Sequence, residues 1–226
     1  MPDAVLWDLD GTLVDSEPAH AAAFDAALAA LGLAVRPAFH DLCLGASEDM
    51  VHAALAAETG TTIGLAAWRA LKWESYRTLA RRIAPRPGVA ALVPALAAAG
   101  VPMAVVSNST RAEVDLALAA TGLDALLPLT ISRADVARGK PDPEGYLAAA
   151  ARLGARPAAC VVVEDSPAGA RAGLAAGMTT VFHPQDPALA APEGALVPAA
   201  DGLAALLARL GLPVAPDVPD DGTAAA

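Results

Sequence analysis

Five short apolar runs, each separated from the next by a segment of helical length, constrain this chain more than any other feature. They are Ala4–Trp7, Met103–Val106, Leu129–Ile131, Cys160–Val163 and Thr179–Phe182. None alternates apolar with polar residues, as a strand with one wet face would. Runs of this kind belong to a parallel sheet covered by helices on both sides. The intervening segments carry helix punctuation. Thr110 and Glu113 have capping-box spacing, with Gly122 past the helix end. Asp142 then Pro143, and Ser166 then Pro167, each read as a cap followed by proline in the first turn, and Gly177 closes the last of these helices. The alternation predicts an α/β fold, a doubly wound parallel sheet of Rossmann-like type.

One gap interrupts it. Between Ser16 and Ala84 there is helical periodicity (Ala19–Leu31, Glu48–Thr59, Leu65–Ile83) and no strand. That length exceeds any ordinary strand-to-helix connection, so the segment is expected to be a helical insert with its own small core. Arg81–Gly88, with two prolines and a glycine, is the expected return hinge. The division is therefore residues 1–15 and 85–213 as the α/β core and 16–84 as a helical cap. Residues 214–226 lack periodicity and are expected to form a disordered tail. Pro94 interrupts a helical pattern and predicts a kink.

Bulk properties remove several function classes. The 55% hydrophobic content is largely alanine, and the apolar runs are broken before they reach bilayer length. No export pattern is visible at the N-terminus, which points to the cytoplasm. A net charge of −10 argues against nucleic acid or an anionic membrane as partner, since both need basic patches. The two cysteines, Cys43 and Cys160, fit no metal or disulfide framework and read as small apolar residues.

In open α/β sheets ligands bind beyond the carboxyl ends of the strands. The first strand is followed by Asp8 and Asp10, the second by Ser107-Asn108-Ser109, the third, after a loop, by Lys140, and the fourth by Glu164 and Asp165. Asp8 and Asp10 share one face of an extended chain about 6.5 Å apart, a spacing suited to two roles on one reacting group. An ionised carboxylate can be a nucleophile, and its partner can move a proton. An isolated pair would read as a solvated acidic turn. With Glu164 and Asp165 at the same edge, the acids call for a cation, and Mg²⁺ is the fitting one because it binds through few carboxylates. Ser107 and Asn108 precede a helix N-terminus, where a hydroxyl and free N–H groups hold an anion. Lys140 is a point charge suited to phosphate.

The set "DLDGTLVDSE", "VVSNS", "GKPDPEGY" and "VVVEDSPAGA" resembles the haloacid dehalogenase superfamily. The resemblance is strongest to its helical-cap subfamily, which includes the β-phosphoglucomutase-like phosphatases. It implies a Mg²⁺-dependent phosphatase acting on a small phosphorylated metabolite, with a sugar phosphate as the candidate, and a monomer or weak dimer. Asp8 would form an aspartyl-phosphate and Asp10 would be acid and base. The metal would take Asp8, Asp10 through its carbonyl, Asp165, and Glu164 directly or from behind. Ser107, Asn108 and Lys140 would hold the phosphoryl group, and His20 and Lys72 fall where cap residues face the site. Alternative readings are surface positions for both: His20 on an exposed helix face, and Lys72 in a solvated face with Arg69, Arg77, Arg81 and Arg82. Trp7 replaces a phenylalanine common before the nucleophile. The loop "LGASED" lacks the arginine with which related mutases hold a second phosphate, and Thr12 matches the phosphatase form of the motif. The alternatives are a hexose-phosphate mutase and a receiver-type phospho-acceptor domain, the latter disfavoured by the long helical insert.

Overall fold

The computed structural model describes residues 1–43 and 46–215. Its strands are β1 (Ala4–Trp7), β2 (Val14–Asp15), β3 (Ala84–Pro85), β4 (Met103–Val106), β5 (Thr130–Ile131), β6 (Cys160–Glu164) and β7 (Thr179–Phe182). The helices are α1 (Glu17–Leu31), α2 (Phe39–Cys43), α3 (Glu48–Thr59), α4 (Leu65–Leu79), α5 (Val89–Ala98), α6 (Arg111–Thr121), α7 (Glu144–Leu153), α8 (Pro167–Ala175) and α9 (Gly202–Arg209). Five strands form one sheet in the order β5-β4-β1-β6-β7, and every pair in it is parallel. The chain winds outward from β1 through β4 to β5, then crosses back to β6 and β7. The reversal places a ligand crevice at the carboxyl end of β1.

Both faces of the sheet are covered, which is why its strands read as unbroken apolar runs. Val5, Trp7, Val105, Val161 and Val163 point to one face and pack with Leu92 and Leu96 of α5, Val114 of α6 and Leu203 and Leu207 of α9. Ala4, Leu6, Ala104, Val106 and Val162 point to the other, against Tyr146 and Ala149 of α7 and Ala172 of α8. Each fully buried valine or leucine contributes roughly 1.5–3 kcal/mol relative to exposure. Trp7 is fully buried in the first of these layers.

Between β2 and β3 the described chain is helical. Phe24, Leu28, Phe39, Leu55 and Trp68 make a separate apolar cluster there. Ala19 and Ala23 of α1 and Tyr76 of α4 belong instead to the sheet-side layer, so the insert is rooted in the main core.

Local differences from the sequence expectation have local causes. The hinge contains β3, which pairs antiparallel with β2 (Val14↔Pro85, Asp15↔Ala84). Two-residue strands, one ending in proline, leave no periodic signal. α4 stops at Leu79 and tightens into a 3₁₀ turn over Ala80–Arg82 rather than running to Ile83. α7 begins at Glu144, with Pro143 just outside it; Asp142 caps the Glu144 N–H at 3.0 Å. Pro94 lies inside α5 on its exposed side, where water can satisfy the carbonyl it leaves free. The tail expected from residue 214 lies outside the described residues beyond Ala215. No described helix is long and apolar enough to cross a membrane.

Candidate active site

β1 ends by handing the chain to a tight turn. The Asp8 N–H still bonds to Val163 O at 3.0 Å, and the N–H groups of Leu13 and Val14 fold back onto Leu9 O. Gly11 adopts φ +80°, and a Cβ there would lie 2.1 Å from Asp165 Oδ2. Glycine is thus required both by the turn and by the close approach of Asp165. Thr12 donates to Asp165 Oδ1 at 3.3 Å, so it serves the site as well as the turn.

Asp8 is buried. Its Oδ1 accepts from Lys140 Nζ, and its Oδ2 is buried with no partner in the protein. Lys140 also donates to Glu164 Oε1 at 2.6 Å and lies 5.1 Å over the Tyr146 ring. Glu164 is fully buried: Tyr146 Oη donates to it at 2.8 Å, and Ser166 donates through its hydroxyl (3.0 Å) and main chain (3.2 Å). Carboxylate oxygens of Asp8, Glu164 and Asp165 lie within 4.8 Å of one another. Burial, with the charge of Glu164 next, raises the Asp8 carboxyl well above the ordinary range against the pull of Lys140. Burial and the Asp8 charge do the same to Asp165. Lys140 responds in reverse: burial works against its charge, but Asp8 and Glu164 outweigh it and hold it protonated.

Asn108 sets the height of Lys140. Its side-chain amide donates to Lys140 O at 3.2 Å and its Oδ1 accepts the Lys140 N–H at 2.8 Å. The loop is tied further by Glu144, whose carboxylate accepts from the N–H groups of Ala137 and Arg138 at 2.9 Å each.

Asp10 has a different environment. Four side chains meet its carboxylate: Ser16 at 2.6 Å, Ser109 at 2.7 Å, His20 at 3.1 Å and Ser107 at 3.3 Å. Burial would raise this carboxyl, but His20 and the hydrogen bonds of His20, Ser16 and Ser109 hold it well below the carboxylate range. Burial lowers His20, and the Asp10 charge overcomes that and raises it. His20 stacks on Tyr76, ring centroids 4.4 Å apart. Ser16 occupies the cap position of α1 without capping it, because its hydroxyl goes to Asp10 instead. A local rule gives way here to the site. The two aspartates are thus inequivalent: one has a free oxygen beside a lysine, the other is fully solvated by protein donors.

The cavity these groups line holds about 390 Å³ and continues beneath the helical insert. Lys72 lines it as well, buried against the Glu48 carboxylate and 3.9 Å from Glu113. Trp68 Nε1 donates to Glu48 at 2.9 Å. The basic helix face therefore divides. Lys72 turns inward, Arg69 pairs with Asp49, and Arg77, Arg81 and Arg82 are exposed. Asp49 also takes Arg133 from the sheet side at 2.8 Å, which holds the insert against the core. Cys43 lines the cavity as a thiol, since burial pushes it up to about 11.

Residues 2–177 match the family described as haloacid dehalogenase-like hydrolase. The chain belongs to the haloacid dehalogenase-like hydrolases. It is 35% identical over 199 residues to the protein CbbY of Cupriavidus necator, covering 80% of this chain and 78% of that one. It is 36% identical over 172 residues to hexitol phosphatase A of Escherichia coli, covering 76% and 78%. Among solved structures it resembles CbbY of Rhodobacter sphaeroides in complex with xylulose-(1,5)bisphosphate, with a TM-score of 0.80, 26% identity, and 88% and 94% of the two chains covered.

All the residues singled out from the sequence of this hydrolase, apart from Glu164, line the one cavity. Glu164 lies just behind Lys140, enclosed by Tyr146 and Ser166. The donor set fits a hard divalent cation: crowded carboxylates on Asp8 and Asp165, one Asp8 oxygen unpartnered, and like charges that burial leaves unscreened. Sequence reasoning missed Ser16, Glu48, Glu113 and Tyr146 as site neighbours, because tertiary contacts alone bring them there. Ser109 could have been found, as the second hydroxyl of "SNS". Gly169 was missed too. A Cβ on it would fall 1.6 Å from Glu164 Oε1. Gly169→Ala is accordingly expected to destabilise the protein by about 1–3 kcal/mol, read by urea denaturation. A neutral result would mean that Glu164 has room to move.

Proposed function

We propose that this hydrolase is a Mg²⁺-dependent cytoplasmic phosphatase that cleaves a small phosphomonoester through an aspartyl-phosphate on Asp8. The observation that carries the reading is the split state of Asp8: Oδ1 is held by Lys140, and Oδ2 is buried without a partner. Residues 1–15 and 85–213 would form the catalytic core and 16–84 the cap. Of the three similar proteins, CbbY of Rhodobacter sphaeroides was solved with a sugar bisphosphate and one is named for hexitol, so a sugar or polyol phosphate is the candidate substrate.

In the proposed reaction an Asp8 carboxylate oxygen attacks phosphorus and the bond to the ester oxygen breaks. Lys140 and Ser107, with the Asn108 main chain, hold the phosphoryl oxygens. The Asp10–His20 pair carries one proton at 3.1 Å and gives it to the departing oxygen. Asp10 then takes a proton from the water that attacks the aspartyl-phosphate, which releases inorganic phosphate and restores Asp8. Asp8, Asp165 and the Asp10 carbonyl would hold Mg²⁺, with Glu164 supporting Lys140 from behind. When bound, the ion offsets negative charge on the phosphoryl group and the acids. The cap excludes bulk water during the transfer.

A mutase would have to hold a second phosphate, and no arginine is among the described residues lining the cavity. The receiver-type alternative falls with family membership. The test is phosphate release from a panel of phosphorylated metabolites. Activity should appear with Mg²⁺, fall at least about 100-fold with a chelator, and return on adding Mg²⁺. Full turnover in the chelator would overturn the metal assignment, and no release from any ester would overturn the phosphatase.

A further inference from the structure

We infer that Arg86 is a positioning residue for the Mg²⁺ site. Its side chain clamps the turn after β1 to the end of β7, and so holds the ligand oxygens at the spacing a small divalent ion needs. The inference rests on the metal assignment made above for Asp8, Asp165 and the Asp10 carbonyl. Arg86 follows β3, where the chain returns from the helical insert, and lies outside the four sequence motifs and the proposed reaction.

One nitrogen of its guanidinium meets two carbonyls. Nη1 donates to Gly11 O at 2.5 Å and to His183 O at 3.1 Å. The Arg86 main-chain N–H donates to Leu13 O at 2.9 Å, continuing the β2–β3 pairing. Gly11 follows Asp10, and its own N–H donates to Val14 O at 2.9 Å. The peptide group before the Gly11 α-carbon is therefore held by Val14. The one after it is held by Arg86 and, through the Thr12 N–H at 3.3 Å, by Leu9 O. Gly11 sits at φ +80° and has no side chain to restrain it, so these bonds fix the direction of the Asp10 carbonyl.

The second carbonyl belongs to the other half of the site. His183 directly follows β7, and its N–H donates to Glu164 O at 2.6 Å. Asp165, next after Glu164, packs on the same turn, where a Cβ on Gly11 would lie 2.1 Å from its Oδ2. One guanidinium thus ties together the two segments that carry the Asp10 carbonyl and Asp165. Arginine suits the task because its planar fork is a rigid multiple donor that stays charged. Groups behind the ligands set metal affinity, and losing one typically costs about 10–100-fold. The loss should depend on the ion. Mg²⁺ demands near-ideal octahedral oxygens at about 2.0–2.1 Å, whereas Ca²⁺ accepts looser arrangements at about 2.3–2.6 Å. A slack turn penalises Mg²⁺ more. An arginine that only propped up the fold would lower stability and leave that difference unchanged.

The experiment titrates the full chain, without ester, with Mg²⁺ and separately with Ca²⁺, and the rise in Tm gives each dissociation constant. Arg86 is half-buried, so water can reach both carbonyls when Arg86→Met removes the donors. In that variant the Mg²⁺ dissociation constant should rise at least about tenfold, and that for Ca²⁺ by less than about threefold. Arg86→Lys, whose ammonium lacks the planar fork, should fall between Arg86→Met and the wild type. Unchanged Mg²⁺ binding in Arg86→Met, or equal weakening of both ions, overturns the inference. If Arg86→Met does not fold without ions, Arg86→Lys decides, and a wild-type ratio of Mg²⁺ to Ca²⁺ affinity there overturns it. If neither ion stabilises the wild-type chain, the metal assignment and this inference fall together. The expected ion binding with no phosphate released from any ester overturns the phosphatase reading and leaves Arg86 in this role.

Discussion

Replacing Asp8 with asparagine should lower phosphate release by about four orders of magnitude or more, with the fold intact. The amide is close in shape to the carboxylate but cannot form the acyl phosphate on which the proposed reaction depends. Stability is expected to be equal or higher. Asp8 is buried beside Glu164 and Asp165, and burial and the Glu164 charge already disfavour its ionised form. Lys140 would keep Glu164 as a partner at 2.6 Å. Thermal unfolding and phosphate release on one preparation separate the two statements. Near-normal turnover in this variant would remove Asp8 from the chemistry, whereas loss of the fold would mean that its charge is structural.

The second large effect is expected at Lys140. Lys140→Met keeps most of the side-chain volume but removes the one cation between Asp8 and Glu164. Breaking a buried ion pair from one side leaves carboxylates unpaired, and such changes cost about 3–5 kcal/mol. In a chain of this size that is a fall in Tm of roughly 10 °C. Adding Glu164→Gln should restore part of the loss, because the amide needs no counter-charge and can still meet Tyr146 and Ser166. A double-mutant cycle should therefore show coupling above about 0.5 kcal/mol. Additive effects would mean that the Lys140–Glu164 contact contributes nothing of its own.

Burial decided what could be read in advance. β1, β4, β6 and β7 are fully or largely buried runs flanked by helices, and such runs announce themselves. The two-residue β2 and β3 and the five-residue α2 are held by contacts from elsewhere and carry no period of their own. The convergence of Asp8, Asp10, Ser107, Lys140 and Asp165 was legible because each follows a strand of one parallel sheet. What surrounds them was not. Ser16 looked like a helix cap, Glu113 like half of a capping box and Tyr146 like a core aromatic. Each of those readings is locally reasonable, and none reveals the long-range partner that gives the residue its place beside the site.

The small β2–β3 pairing has a consequence for how the molecule assembles. β1 must find β4 across about 100 residues of chain, and closing a loop that long carries a substantial entropic penalty. With Val14 bonded beside Pro85, the two ends of the helical segment are already side by side. The helices between them also meet across the insert, where Phe24 of α1 packs edge-on against Trp68 of α4. Once they and the β2–β3 pair are in place, the remaining connection from Pro85 to Met103 is little more than α5 and two turns. With Val14 and Pro85 paired, β1 and β4 are joined by a short connection, so most of the entropy of closing the long loop falls at β2–β3 and the central pair of the sheet adds little to it.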